Sequence, residues 1–463
     1  MKRFHRSLAA ATVSLTALMA LGGGAQASSF YIRTGQSAEG LGMQFAGGAS
    51  GGIGIGSIGW NPATITMFPG RNSNWNATYI RPQAEYDLQF TNVLPTPLAG
   101  PLFGTPLGTG EIGGNGAFAP ASYSAFQIND RLWLGLATGA PFGLSAKPDN
   151  YNFAGQVYGR SARIKTINVA PTVGYKVTDW LSIGAAAQFQ YLKVNLKQAI
   201  AAFPNAPNLI LEGDDIALGY RLGATITPWQ GGSFGVGYRS AMFHEVTGDI
   251  MSAVPIPTLA GPILPGPGFL NPLEAKINLP DVLTFGFSQQ LSPQWQVHLG
   301  VERENWSRFK RVPLILGRSN LPFRSLNFEY DDSLYVSGGV EYAWSPNLTL
   351  RAGVSHEWSA VSDRVRQLLI ADNDRLGVSV GASYNWNERL KIDIGYAHYF
   401  IKDAPAAIVP PGSPFNPAGN PHFAGIQYVG EAEPTLDVFS IGLTYRWDTP
   451  AVPIPAAPVV RKY

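Results

Sequence analysis

Apolar and polar residues alternate with a period of two over long stretches of this chain. From Leu376 to Trp386, Leu376, Val378, Val380, Ala382, Tyr384 and Trp386 share one face, while Gly377, Ser379, Gly381, Ser383 and Asn385 share the other. Leu348–Val354 and Leu390–Phe400 repeat the pattern. Strands with one apolar face and one polar or small face form a wall between two media, lipid on one side and a lumen on the other. Six short polar turns punctuate these strands: Asn129-Asp130, Thr178-Asp179, Pro228–Gly232, Ser292–Gln294, Ser345–Asn347 and Asn387–Arg389. A tryptophan lies in or within three residues of each (Trp133, Trp180, Trp229, Trp295, Trp344, Trp386), and Trp447 ends the last strand. Tryptophans at one level predict an interfacial girdle. Longer Pro/Gly-rich segments separate the turns, at 93–116, 147–159, 199–213, 249–276, 313–326, 359–373 and 402–433. Six short turns and seven long loops predict an all-β fold, a 14-stranded antiparallel transmembrane β-barrel over residues 71–447. Both termini fall on the short-turn, periplasmic side.

Composition sharpens this reading. Of 463 residues only 14% are charged, against about a quarter in soluble domains, and there are 54 aromatics and 53 glycines. The aromatics exclude disorder, and a formal charge of +2 gives nucleic-acid binding no support. The absence of cysteine excludes disulfide, iron–sulfur and cysteine–zinc sites. Residues 1–27 read as a signal peptide: basic Lys2, Arg3 and Arg6, an apolar Leu8–Leu21, and a small-residue Ala25-Gln26-Ala27 cleavage site. Its removal leaves 30 basic against 31 acidic residues. No later apolar run is long enough for a helical span. The destination implied is the bacterial outer membrane, with its lipids as surroundings. The last strand's Gly442, Tyr445 and Trp447 look like the terminal signature that barrel-assembly machinery recognises. The Pro-rich residues 448–463 are expected to be an extended periplasmic tail.

Residues 28–70 are unlike the strands that follow. Ala46–Gly59 is rich in Gly, Ala, Ser and Ile without strand or helix period. Gly54, Gly56 and Gly59 match a dinucleotide fingerprint, but no βαβ unit surrounds them and Asn61-Pro62 follows instead of a helix. Small residues fold closely in a narrow lumen, so this segment is expected to be a hatch plugging the barrel.

Several motifs carry a family likeness. Gly40-Leu41-Gly42, Phe45-Ala46-Gly47 and Asn61-Pro62-Ala63-Thr64-Ile65-Thr66-Met67-Phe68 lie in the N-terminal segment. Pro141-Phe142-Gly143-Leu144, Asn278-Leu279-Pro280 and Asp372-Asn373-Asp374-Arg375 lie along the barrel. In these the chain resembles the long-chain fatty acid transporter (FadL) family, including its aromatic-hydrocarbon branch. The resemblance implies a monomer that moves hydrophobic small molecules passively, by loop capture, an apolar pocket and lateral exit at a kink of the third strand. It implies hatch or gate residues at Ser28, Ser29, Phe30, Asn61, Pro62 and Ala63, and an exit kink at Ala140, Pro141, Phe142 and Gly143.

The residues add their own reasons. Pro141 removes a ladder donor and Gly143 weakens its strand. In the fifth strand Ile183, Ala185, Ala187 and Phe189 share a lipid face, and beyond Tyr191 the apolar positions switch to Leu192, Val194 and Leu196. With parity kept these line a pocket; a bulge at Tyr191 would reverse the assignment. Ile263, Leu264, Phe269 and Leu270 make an unusually apolar outer loop suited to capture. The family holds a carboxylate with basic residues, yet Gln198 follows Lys197 where an arginine is expected. Arg375, Arg160 and Arg163 are the candidates, each with the alternative of a lumen or loop charge paired with a carboxylate, while Lys197 and Arg375 are counted with Leu192, Val194 and Leu196 in the pocket. Without such a clamp an aromatic hydrocarbon is the alternative ligand. The five histidines after residue 27 form no catalytic or metal motif, so no enzyme, cofactor or metal is expected. A diffusion porin or an adhesin-like barrel is the alternative from another class.

Overall fold

Fourteen antiparallel strands close on themselves in the computed structural model. It describes residues 31, 33, 36–93, 112–113, 116–148, 151, 153, 155–201, 205–252, 256–257, 263–264, 271–317 and 321–448. The proposed signal peptide and all of the tail after Asp448 lie outside the described residues. The strands are β1 (Arg71–Val93), β2 (Ala117–Gln127), β3 (Leu132–Gly139 and Gly143–Ala146), β4 (Ser161–Lys176), β5 (Leu181–Ala199), β6 (Asn208–Ile226) and β7 (Gly232–Arg239 and Met242–Ser252). They continue as β8 (Asn271–Leu279 and Val282–Gln290), β9 (Trp295–Glu304 and Arg311–Leu316), β10 (Leu321–Asn327 and Ser333–Ser345), β11 (Leu348–Trp358), β12 (Arg375–Asn385), β13 (Leu390–Ile401) and β14 (Ile426–Arg446). Each pairs with its neighbour, and β14 pairs with β1 from Arg446↔Asn72 to Ile426↔Val93, so the sheet has no long free edge. Closure satisfies backbone groups where no water is available.

The alternating pattern sorts as expected. Leu376, Val378, Val380 and Tyr384 of β12, and Trp386 directly after it, are exposed on the outer face, while Ser379 and Ser383 are buried inside. Six of the seven turn-proximal tryptophans are exposed, but Trp133 is buried and points inward, donating to the Phe68 carbonyl at 3.1 Å. The girdle therefore lacks this member, because the parity of β3 puts Leu134 outside instead.

The long loops are shorter than the Pro/Gly content implied. Residues 313–326, expected as a loop, form most of a hairpin pairing Arg311–Leu316 with Leu321–Asn327. Likewise β8 opens at Asn271, inside the expected loop 249–276, and Pro280 falls in a break between its two halves. Prolines at strand interruptions lose no ladder bond, so they did not end the strands.

Residues 36–68 lie against the inner wall. They comprise one short helix, α1 (Ala38–Leu41), and three 3-10 turns at Gly48–Ser50, Gly54–Gly59 and Pro62–Met67. The segment follows the circumference of the barrel, and strand after strand meets it with a glycine. A Cβ at Gly395 of β13 would lie 2.6 Å from the Ala38 carbonyl oxygen, and at Gly353 of β11 2.3 Å from the Met43 carbonyl carbon. At Gly286 of β8 it would lie 2.7 Å from the Ser50 nitrogen, at Gly235 of β7 1.8 Å from the Ala49 carbonyl oxygen, and at Gly184 of β5 2.4 Å from the Ala63 nitrogen. This glycine belt lets backbone approach backbone, which no side chain would permit.

Polar groups fix the segment in its seat. The buried Asn61 amide donates to the Ala49 and Ala224 carbonyls at 2.7 and 2.9 Å, and its oxygen caps Ala63 N at 2.9 Å. Glu39 pairs with Arg351 at 2.8 Å and Lys391 at 2.6 Å. Arg33 reaches Glu302 at 2.7 Å, Glu357 at 3.1 Å and also Glu304, with its guanidinium 3.8 Å from the Tyr335 ring centroid. All four of these charged groups are buried, so each needs the others.

Candidate ligand-binding cavity and side opening

The outer half of the lumen is lined by one large apolar cluster that runs from Tyr31 to Ala432. Within it lies a cavity of about 110 Å³. β5 contributes Leu192, Val194 and Leu196, β8 contributes Ile277 and Leu279, and the β9–β10 hairpin contributes Leu314 and Phe323. The register of β5 with β6 runs unbroken from Leu181↔Ile226 to Ala199↔Asn208, so there is no bulge at Tyr191. Leu192 therefore keeps the inward face of the buried Gln188 and Gln190, and the lumen wall changes from polar to apolar at that point.

Four polar residues also line this cavity: Lys197, Gln198, Arg324 and Gln367, of which Gln198 shares the inward face of Leu192, Val194 and Leu196 and Lys197 stands on the opposite face of β5. Arg324 makes a 3.4 Å hydrogen bond to Gln198 Oε1. Among the described residues no carboxylate lies within 4.0 Å of either Lys197 or Arg324. Nearby His422 contacts Gln367 at 3.1 Å and is pushed down to about 4 by burial and by the Arg324 charge. It is neutral at neutral pH, which leaves Lys197 and Arg324 as the cavity's cations.

At the inner end the cavity reaches Leu144, just past the interruption of β3. Before the interruption Gly139 pairs with Asn168; after it Gly143 pairs with Lys165, so three residues of β3 stand against two of β4. The extra residue bends the strand inward. Thr166 Oγ1 accepts from Phe142 N at 2.9 Å and donates to Phe142 O at 2.6 Å, replacing the lost ladder. The fully buried Phe142 ring lies 5.4 Å from Tyr31 and 6.1 Å from Trp306, far across the barrel in sequence. Pairing of β3 with β2 ends at Ser122↔Thr138, although β2 continues along β1 to Ala117↔Ile80. Among the described residues Ala117–Ala121 thus have no ladder pairing on the β3 side.

The chain matches the family described as outer membrane protein transport protein (OMPP1/FadL/TodX) over residues 18–447. The protein belongs to this family. It is similar to the long-chain fatty acid transport protein of Escherichia coli O6:H1, 24% identical over 410 residues, which cover 80% of this chain and 85% of the relative. It is also similar to outer membrane protein P1 of Haemophilus influenzae, 25% identical over 408 residues covering 81% and 85%. Among solved structures, a Pseudomonas aeruginosa FadL homologue superimposes with a TM-score of 0.76 at 21% identity, over 91% of this chain and all of that one. The Ralstonia pickettii toluene transporter TbuX gives 0.64 at 17%, over 90% and 99%. These two likenesses establish the fold. The OMPP1/FadL/TodX family places the protein in the outer membrane as a transporter of hydrophobic compounds, and its members are not enzymes.

Of the residues singled out from sequence, Leu192, Val194, Leu196 and Lys197 meet in the cavity. Arg375 does not join them. It is buried against Glu357 at 3.0 Å and borders a smaller neighbouring space. Arg160 is tied to Gln156, Asn208 and the Ala206 carbonyl. Asn61, Pro62 and Ala63 lie against β5 and β6, whereas Ser28, Ser29 and Phe30 fall outside the described residues. Phe269 and Leu270 are also outside them; Ile263–Leu264 pairs with Ile256–Pro257 as a short ribbon. Sequence reasoning missed Arg324. Its hairpin partner Leu314 and the apolar Phe323 and Leu326 were the available signal, obscured by Pro313 and Pro322.

Proposed function

We propose that the protein carries hydrophobic carboxylates, long-chain fatty acids in chemical class, passively across the outer membrane. The observation that supports this is the pairing of an apolar cavity with two cations in its lining, Lys197 and Arg324, neither of which has a carboxylate within 4.0 Å among the described residues. Such cations are balanced by an anionic ligand whose tail fills the apolar space. Residues 28–70 act as the hatch that blocks a straight path, and the apolar outer segment around Ile263, Leu264, Phe269 and Leu270 acts in capture. Exit is lateral, through the opening beside Ala117–Ala121, and the β3 kink at Ala140–Gly143 directs the ligand there.

The test is uptake of labelled oleate and labelled toluene by cells lacking their own hydrophobe channel, with and without this protein. Oleate uptake that depends on the protein is the expected result. Toluene uptake alone would overturn the carboxylate reading in favour of a neutral ligand.

Lateral exit has its own test. Gly143 is buried at the kink, so Gly143→Trp should obstruct the opening. Oleate uptake is expected to fall severalfold while the heat-modifiable, assembled barrel stays abundant on gels. Full uptake by an assembled Gly143→Trp barrel would count against this route.

A further inference from the structure

Beyond the kink lies a second pair of cations. Arg221 of β6 and Arg239 of β7 are direct cross-strand partners and are only 4% and 6% exposed. Among the described residues neither has a carboxylate within 4.0 Å. Arg221 Nε donates to Gln188 Oε1 at 2.9 Å. Arg239 is bonded by the Tyr31 hydroxyl, but its Nε and Nη2 are buried without any hydrogen-bond partner. Its guanidinium instead lies 4.9 Å from the Phe142 ring centroid. Two buried, adjacent guanidinium groups without an ion pair are costly, and a cation–π contact offsets only part of that.

The surroundings favour an anion over water-filled packing. Gln190 Nε2, on the same inward face of β5, is a further buried donor without a partner. The nearest carboxylates are occupied: Glu302 and Glu304 by Arg33, Glu357 by Arg33 and Arg375. Asp215 is held by His244 at 3.0 Å. Asp372 also faces Arg375, so the carboxylates of this layer are committed to Arg33 and Arg375, and among the described residues none forms an ion pair with Arg221 or Arg239.

Position gives the pair a role. Leu192 lines the cavity, and Gln188, bonded to Arg221, is four residues further along the same strand face, roughly 13 Å at the usual strand rise. Phe142 stands between: it belongs to the kink, two residues from cavity-lining Leu144, and covers Arg239. Displacing that ring uncovers the unpartnered donors at the level of the side opening.

We infer that Arg221 and Arg239 form a second carboxylate-binding station at the β3 kink, which receives the ligand's headgroup after Lys197 and Arg324 release it. The station rests on the carboxylate reading of the protein's function. It turns one binding site into a relay, with Phe142 as the movable cover of the inner stop.

Calorimetric titration of the full-length protein in a neutral detergent with oleate tests this. Two oleate sites are expected in the wild type. Arg239→Gln or Arg221→Gln should retain one, and Lys197→Gln with Arg324→Gln should lose the other. In cells Arg239→Gln should cut oleate uptake roughly tenfold, the size of one lost charge-assisted contact, and leave uptake of oleyl alcohol unchanged. Arg239→Lys should recover part of the loss, and heat-modifiable migration verifies that each variant is assembled. Two sites persisting in both single arginine variants would overturn the station. So would a single wild-type site that depends on Arg324, which would leave the carrier function standing. No oleate binding by the wild type would remove both. A parallel titration with inorganic phosphate separates the sources of the anion. Phosphate binding that Arg239→Gln abolishes, alongside a single oleate site, would mark a free-anion slot and overturn the relay.

Discussion

Gly235→Val is expected to strip the outer membrane of nearly all assembled protein. The added Cβ would sit 1.8 Å from the Ala49 carbonyl oxygen, a backbone atom that no rotamer change can move aside. Either the N-terminal segment leaves its seat, exposing its buried polar groups, or β7 is pushed outward. Overpacking of this kind costs about 3 kcal/mol or more. The control is Gly338→Val in β10, where a Cβ meets only Leu299 Cδ2 at 3.8 Å. That variant should assemble normally. Its neighbour Gly339 faces the other way, with a Cβ 2.8 Å from that of Met43, and should behave like Gly235 when replaced. The measurements are the heat-modifiable fraction in outer-membrane preparations and the midpoint of thermal unfolding. Equal stability of Gly235→Val and Gly338→Val would mean that the segment is not seated on the glycine belt.

The double variant Lys197→Gln, Arg324→Gln should have the largest effect on transport. Both cations border the apolar cavity with no carboxylate within 4.0 Å among the described residues. A carboxylate loses two charge-assisted contacts, together roughly 3 kcal/mol, or about two orders of magnitude in apparent affinity for oleate. Oleyl alcohol has the same chain and no charge, so its uptake should change little. The barrel should survive, because neither side chain holds another charge in place. An equal loss for acid and alcohol would show that the substitutions damage the cavity instead of removing a headgroup contact.

Strand number and direction were legible because a barrel stave must alternate to separate lipid from lumen, as Leu376–Trp386 does. The short turns were legible for the same reason, since polar residues interrupt the alternation where the chain leaves the membrane. Trp133 was misplaced because nearness to a turn was used in place of parity: it is an inward residue bonded to Phe68. The inversion beyond Tyr191 was readable in β5 alone, because the register there is regular. Arg324 was not readable. Its hairpin carries Pro313 and Pro322 and joins the cavity only through pairing with Arg311–Leu316, a contact that no local pattern encodes. Arg375 failed as a pocket candidate for a related reason. Its partner Glu357 comes from the neighbouring strand and holds it beside Arg33. The charges that matter in this lumen are sorted by cross-strand neighbours, and alternation says nothing about those.

The direction in which the glycine belt is read has a consequence for biogenesis. Ala38 meets β13, Met43 meets β11, Ser50 meets β8 and Ala63 meets β5, so the segment traverses the staves in reverse order of translation. The residues made first therefore find their seat only on strands made last. A nascent chain that stops after β12 has synthesised α1 and lacks the Gly395 surface against which α1 rests. Seating of α1 therefore has to wait until β13 has been made.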